Sequence, residues 1–166
     1  MVDAKADVNT KDRNGFTPLM WAAVKGHTEC VQLLVDAKAN VNAKDRNGVA
    51  AVLMAADKGH TSSLQALIDA KADIDAKDNE GIAALMLASG SGHPACAQLL
   101  VQAKARLEVM DPCFHTPLMW AVKYDRVECA RVLVEAKANI QAKDENGDPP
   151  LSLAARLGHA ECVQLL

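Results

Sequence analysis

Asp12-Arg13-Asn14-Gly15-Phe16-Thr17-Pro18-Leu19-Met20-Trp21-Ala22-Ala23-Val24-Lys25-Gly26-His27 decides how the chain is read, because the chain writes it again. Asp45-Arg46-Asn47-Gly48 opens a second copy, Asp78-Asn79-Glu80-Gly81 a third and Asp144-Glu145-Asn146-Gly147 a fifth; the fourth, from Asp111, is altered at its opening. From Asp12 through Asp45, Asp78 and Asp111 to Asp144 the step is always 33 residues. A fixed step without insertion implies a one-dimensional array of stacked units, each touching only its neighbours. The expected organisation is one array over residues 1–166: a partial repeat 1–11, repeats 12–44, 45–77, 78–110 and 111–143, and a truncated repeat 144–166.

The punctuation inside a repeat predicts its elements. Asp12 to Gly15 is a turn signal, with Asn-Gly providing left-handed backbone. Thr17 is placed as N-cap with Pro18 at the first helical position, where its missing N–H is harmless. Leu19, Ala22 and Ala23 give a short helix with a small-residue face, and Gly26 ends it. Glu29 suits the positive end of a second helix, which Val31, Leu33, Leu34 and Val35 are expected to line. Residues 39–44 lead out to the next turn.

Bulk properties narrow the function classes. Half the residues are apolar but only 3% are aromatic, and alanine and leucine dominate, which favours helices. A net charge of −3 with interspersed signs offers no basic face to nucleic acid and no polybasic membrane anchor. No apolar run reaches membrane-span length and the start is not a signal peptide, so a cytoplasmic or nuclear compartment is expected. Cys30, Cys96, Cys129 and Cys162 hold one repeat position, with Ser63 in the remaining copy. Stacked helices put such positions roughly 9–10 Å apart, beyond the reach of a disulfide, so these thiols are expected to be buried core. Cys113, in a predicted loop, is the one thiol expected to be reactive.

The whole of this pattern resembles the ankyrin repeat: Gly15, Thr17-Pro18-Leu19, Ala22-Ala23, Gly26-His27, Leu33-Leu34 and Ala39-Asn40-Val41-Asn42, in phase from Val2 to Leu166. The resemblance implies an all-α solenoid of helix-turn-helix units joined by hairpin-like fingers. In it the fingers and first helices form a concave face and the second helices form the back. Three departures stand out. Lys5, Lys38, Lys71, Lys104 and Lys137 occupy the family's glycine at the end of the second helix; a non-glycine residue in left-handed backbone there costs roughly 1 kcal/mol. The Thr-Pro start is lost at Ala50-Ala51, Ala83-Ala84 and Pro149-Pro150, although Asp148 is a candidate cap for the last. Repeat four replaces its turn by Asp111-Pro112-Cys113-Phe114-His115 and the inter-helix Gly-His by Tyr124-Asp125-Arg126, and carries Met110 where the others have lysine.

No catalytic constellation is found. The His27–Cys30, His93–Cys96 and His159–Cys162 pairs recur at the array step instead of converging on a metal. Cys113 and His115 show no third ligand in the sequence, and no nucleophile–base–orienter set is legible. The five turn aspartates lie too far apart for paired-carboxylate chemistry and read as a solvated edge alternating with Lys11, Lys44, Lys77 and Lys143. Trp21 and Trp120, three repeats apart, read as groove-lining core. The expectation is therefore a binding protein without cofactor or metal, whose partner is another protein and neither nucleic acid nor membrane.

Carried onto this chain, the resemblance implies contacts from Arg13, Phe16 and Lys25 in repeat one and Arg46, Val49 and Lys58 in repeat two. Repeat four supplies Pro112, His115, Lys123 and Tyr124, and repeat five Arg156. Val24, Asp57, Asn79, Ile82, Gly90, Ser91, Glu145, Asp148 and Leu157 fall on the same surface. Interface energy concentrates in aromatic and arginine anchors, so repeat four is the expected centre, with Tyr124 as anchor, Lys123 as charge partner and His115 as a hydrogen-bonding finger. Two alternatives stand beside this: a partnerless spacer or engineered consensus-like array, and the targeting fragment of a larger enzyme. Discounting Met1, the chain is a whole number of repeats cut at one phase at both ends, as expected of a fragment or an engineered array. Uncapped apolar ends predict end-to-end self-association.

Overall fold

The computed structural model describes residues 6–166. Each repeat starts from one carboxylate. Asp12 Oδ1 accepts the N–H groups of Asn14 at 2.8 Å and Phe16 at 2.9 Å, and Asp45, Asp78, Asp111 and Asp144 each repeat the pair two and four residues on. The Asp12 N–H in turn donates to the Phe16 carbonyl, closing a hairpin-like finger. Gly15 takes the left-handed conformation this needs, at φ +88°. The aspartates are thus the internal fastening of the fingers, and the expected solvated edge does not describe them all: Asp144 is buried.

Among the described residues ten short helices are built on these fingers: α1 (Pro18–Lys25), α2 (Thr28–Asp36), α3 (Ala51–Asp57), α4 (Thr61–Asp69), α5 (Ala84–Ser91), α6 (Pro94–Gln102), α7 (Pro117–Lys123), α8 (Val127–Glu135), α9 (Pro150–Leu157) and α10 (Ala160–Leu165). None exceeds nine residues, well below the length at which a helix is stable alone. Stacking makes them stable. The odd-numbered helices pack in one row and the even-numbered in another, each pair also packing together. Ala23, Ala55, Ala56, Ala88 and Ala121 are fully buried between repeats and let the odd row approach closely. A main apolar core runs the length of the array, with Leu19, Val52, Leu85 and Leu118 at one repeated position.

Capping follows the sequence at two of three points. Thr17 and Thr116 accept the N–H of Met20 and Met119, while Ala50 and Ala83 offer nothing to α3 and α5. Asp148 does not cap α9, whose N-cap is Pro149; its own N–H is committed to Asp144 and its carboxylate lies 3.3 Å from Arg156. Lys38, Lys71, Lys104 and Lys137 are left-handed, with φ between 63° and 70°. The same expectation at Lys5 lies outside the described residues.

The first repeat departs from the expected burial because nothing in the described chain stacks before it. Cys96 and Cys129 face the preceding repeat, hydrogen-bonding Thr61 and the Ala88 carbonyl. Cys30 occupies the same position with no such neighbour and is exposed. Leu33, expected to line the core, is 68% exposed, and Trp21 is half exposed instead of core.

Four strings of hydrogen bonds cross between repeats. Along the return segments Asn9, Asn42, Asp75 and Glu108 accept from the backbone of residues 40, 73, 106 and 139. Between the helices His60, His93, Arg126 and His159 donate to the carbonyls of Val24, Asp57, Gly90 and Val122. Lys11, Lys44 and Lys77 each reach the carbonyl that precedes the next finger. Finally, the fingertip N–H groups of Arg46, Asn79 and Glu145 donate to the carbonyls of Asn14, Asn47 and Cys113. The first two strings run unbroken through the described repeats. The last two are interrupted around finger four, because Met110 has no amine to offer and Pro112 has no N–H.

Candidate functional site

Finger four and the end of α7 are where the array differs from itself. Phe114 takes the left-handed place of the turn glycine at φ +61°, and Asp125 that of Gly26 at φ +54°. Both non-glycine residues hold backbone that side chains disfavour. Gly90 on α5 makes room for two aromatic rings: a Cβ there would lie 2.7 Å from Trp120 Cε3 and 3.2 Å from Tyr124 Cδ2. Trp120 and Tyr124 therefore lie across α5 with ring centroids 5.8 Å apart. The Trp120 indole N–H donates to Asp111 Oδ2 at 3.0 Å, tying helix to finger, as Trp21 does with Asp12 in repeat one.

His115 sits between two carboxylates. Its Nδ1 lies 3.1 Å from Asp111 Oδ2, and its Nε2 faces Asp144 Oδ2 of the next finger at 3.9 Å, beyond hydrogen-bond reach. Burial opposes ionisation of Asp111, yet the His115 and Trp120 donors outweigh it and lower its pKa. Asp144 is also lowered: burial opposes, but the Asp148 and Asn146 N–H groups and His115 prevail. Cys113 does not match the expected reactive thiol. The Glu145 carboxylate beside it, with burial and further negative charge, raises its pKa and so reduces its thiolate. Asp111, Cys113 and His115 bring one ligand atom each to within 4.8 Å of one another, so the third ligand missing from the sequence is supplied by the finger's own first residue.

A groove of about 440 Å³ opens between fingers four and five and the ends of α7 and α9. Tyr124, Leu153 and Leu157 give it apolar walls, Lys123 and Arg156 cations, and Asp144 and Glu145 carboxylates. Of the residues expected from sequence, His115, Lys123, Tyr124 and Arg156 meet in this groove. His115 is buried against the carboxylates and does not project as a finger. Tyr124 is 45% exposed, with Lys123 Nζ 5.9 Å from its ring centroid. Pro112 is exposed at the fingertip, on the side of Gly81.

The remaining expected residues lie elsewhere along the face. Arg13, Lys25, Arg46 and Lys58 are exposed, Lys58 being paired with Asp57 at 2.8 Å. Phe16 is half-buried, stacked on Trp21 at 4.8 Å, and Val49 is half-buried against the core. Gly90 and Ile82 belong to no exposed surface; both are buried. Sequence reasoning missed Leu153, Cys113, Asp144 and Asn146 as groove residues. The 33-residue register would have found Asp144 as the neighbour of finger four.

No helix among the described residues is long and apolar enough to cross a membrane. A family model described as ankyrin repeats, in three copies, matches residues 1–78, 38–111 and 85–166. No curated protein matches the chain.

Proposed function

The chain belongs to the ankyrin-repeat family, whose members generally mediate protein–protein contacts, and we propose that it recognises a partner protein through the groove between fingers four and five. The observation that carries this is the meeting of His115, Lys123, Tyr124 and Arg156 in one concavity with the apolar Leu153 and Leu157. A half-exposed tyrosine between two cations is the composition of an interface anchor. Its backing by Gly90 and Trp120 holds the ring in place before binding, so little side-chain entropy is lost on docking.

The complement of this groove is an extended segment with an apolar side chain for the Tyr124–Leu153–Leu157 wall and a carboxylate for Lys123 and Arg156. Peptide display on the intact protein, run beside a Lys123→Ala, Tyr124→Ala, Arg156→Ala variant, tests it. All three side chains are exposed, so the variant is expected to fold. Enrichment of acidic-plus-apolar peptides on the first protein and their loss on the second is the expected result. Equal enrichment on both moves the site away from this groove, and none on either favours a partnerless spacer.

A further inference from the structure

We propose that fingers four and five form a binding site for a zinc-class divalent cation, with Asp111, Cys113 and His115 as ligands. Three residues at i, i+2 and i+4 of one tight turn already bring their ligand atoms within 4.8 Å of one another. Zinc takes carboxylate oxygen, thiolate sulfur and imidazole nitrogen at about 2.0–2.3 Å, so only small side-chain movements separate this arrangement from a chelate. The donor set also selects the metal class. A thiolate and an imidazole favour zinc, whereas magnesium and calcium require oxygen ligands.

The surroundings supply what a bare triad lacks. Glu145, from finger five, stands beside the Cys113 thiol; it lies outside the three-atom cluster and would join it as a fourth ligand by a side-chain movement. Asp144 Oδ2 faces His115 Nε2. With Nδ1 turned to the metal, that carboxylate orients the imidazole from behind, as outer carboxylates do for ligating histidines. His115 is 9% exposed; its Nδ1 now bonds Asp111 and would exchange that partner for the metal, while Nε2, without a hydrogen-bond partner, is left to face Asp144. The site also lies at a step that has lost one of the four inter-repeat bonds. Lys11, Lys44 and Lys77 bridge the earlier fingers, but Met110 leaves the step from finger four to finger five without that bond. A cation held by Asp111, Cys113 and His115 with Glu145 would bridge that step. Binding requires the Cys113 thiol to give up its proton to solvent, so affinity rises with pH.

Titration of the reduced protein with Co²⁺ tests the proposal by the thiolate-to-cobalt absorption band in the near ultraviolet. Zinc added afterwards displaces the cobalt and bleaches the band. Wild type and Cys30→Ser are expected to bind one cobalt per chain with that band, and Cys113→Ser to lose it. Asp144→Asn keeps the Oδ1 that accepts the finger's N–H groups and is expected to weaken zinc binding by roughly 10–100-fold. Circular dichroism of Cys113→Ser verifies that its helices persist. A wild type without the band, or a band that survives in Cys113→Ser, overturns the site. A band lost in Cys30→Ser instead would place the metal on the exposed His27–Cys30 pair and overturn it equally. None of these readouts depends on peptide binding, so its failure is separable from failure of the partner-binding reading.

Discussion

Repeats one to three and the pair four and five solve the same packing problem with different residues. Where fingers one to three meet, glycine takes each left-handed turn position, a lysine bridges to the next finger and a fingertip N–H completes the ladder. Around finger four Phe114 stands in for glycine, Pro112 removes one bond and Met110 another. In exchange this end has Trp120 and Tyr124 seated over Gly90, the Asp111–His115–Asp144 cluster and a groove. Regular stacking is therefore relaxed where a distinctive surface is built. Beyond the left-handed lysines that the repeats share, repeat four adds Phe114 and Asp125 in the same backbone conformation, and such strain clusters at functional sites.

Alkaline pH should separate the two halves most. Burial pushes the Cys129 and Cys162 thiols up to about 11. A group that holds its proton more tightly when folded stabilises the fold below its unfolded pKa, and that stability is lost as pH rises toward the folded value. From an unfolded thiol near 8.5 the loss is about 2–3 kcal/mol for Cys129 by pH 11. Repeat two escapes it, since Ser63 stands in the thiol's place and does not titrate in this range. Urea melts at rising pH, followed by hydrogen exchange, should show the last two repeats opening first, and Cys129→Ala should blunt the effect. Uniform loss along the array would contradict this account.

Next in size is Gly90→Val, which copies Val24 of repeat one into repeat three. The added side chain meets Trp120 and Tyr124, and overpacking of this kind costs about 1–3 kcal/mol. The urea midpoint should fall and the tryptophan emission of Trp120 should shift red. An unchanged midpoint would show that the two rings move aside freely and are not a preset anchor.

Phe114→Gly restores the turn residue of the other fingers and should stabilise by about 1 kcal/mol. If stability falls instead, Phe114 contributes packing that outweighs its backbone strain. The smallest effect is expected from Met110→Lys, which returns the missing bridge between fingers four and five. One net hydrogen bond is worth about 0.5–1.5 kcal/mol, and an exposed lysine belongs at the low end. Its readout is slower amide exchange at finger five, with little change in finger one.

Much of the fold is legible in the letters. The turn from Asp12, the Thr17 and Thr116 caps, the left-handed lysines and the unusual character of repeat four all rest on local rules. Those rules act within a few residues, so the chain carries them in plain order. Burial at the first repeat is misjudged because Cys30 matches the buried Cys96, Cys129 and Cys162 letter for letter, and Leu33 the half-buried Leu99; what separates them is that no described repeat stacks in front. Gly90 reads as a bland surface position, yet it is the seat of two aromatic rings from the next repeat. His115 reads as a projecting finger, and the aspartate of its own turn and that of the next enclose it.

The architecture comes from the chain alone, because a motif repeated at 33 residues has one way to bury its apolar face, which is against its own copies. The chain also marks repeat four as the place to look, through Met110, Pro112, Phe114 and Asp125. What that place contains is settled by stacking. Cys113 and Glu145, or His115 and Asp144, are about one repeat apart along the chain and become neighbours only when the repeats pack. Their burial and protonation, and the groove they share with Tyr124 and Arg156, depend on distances that no single repeat possesses.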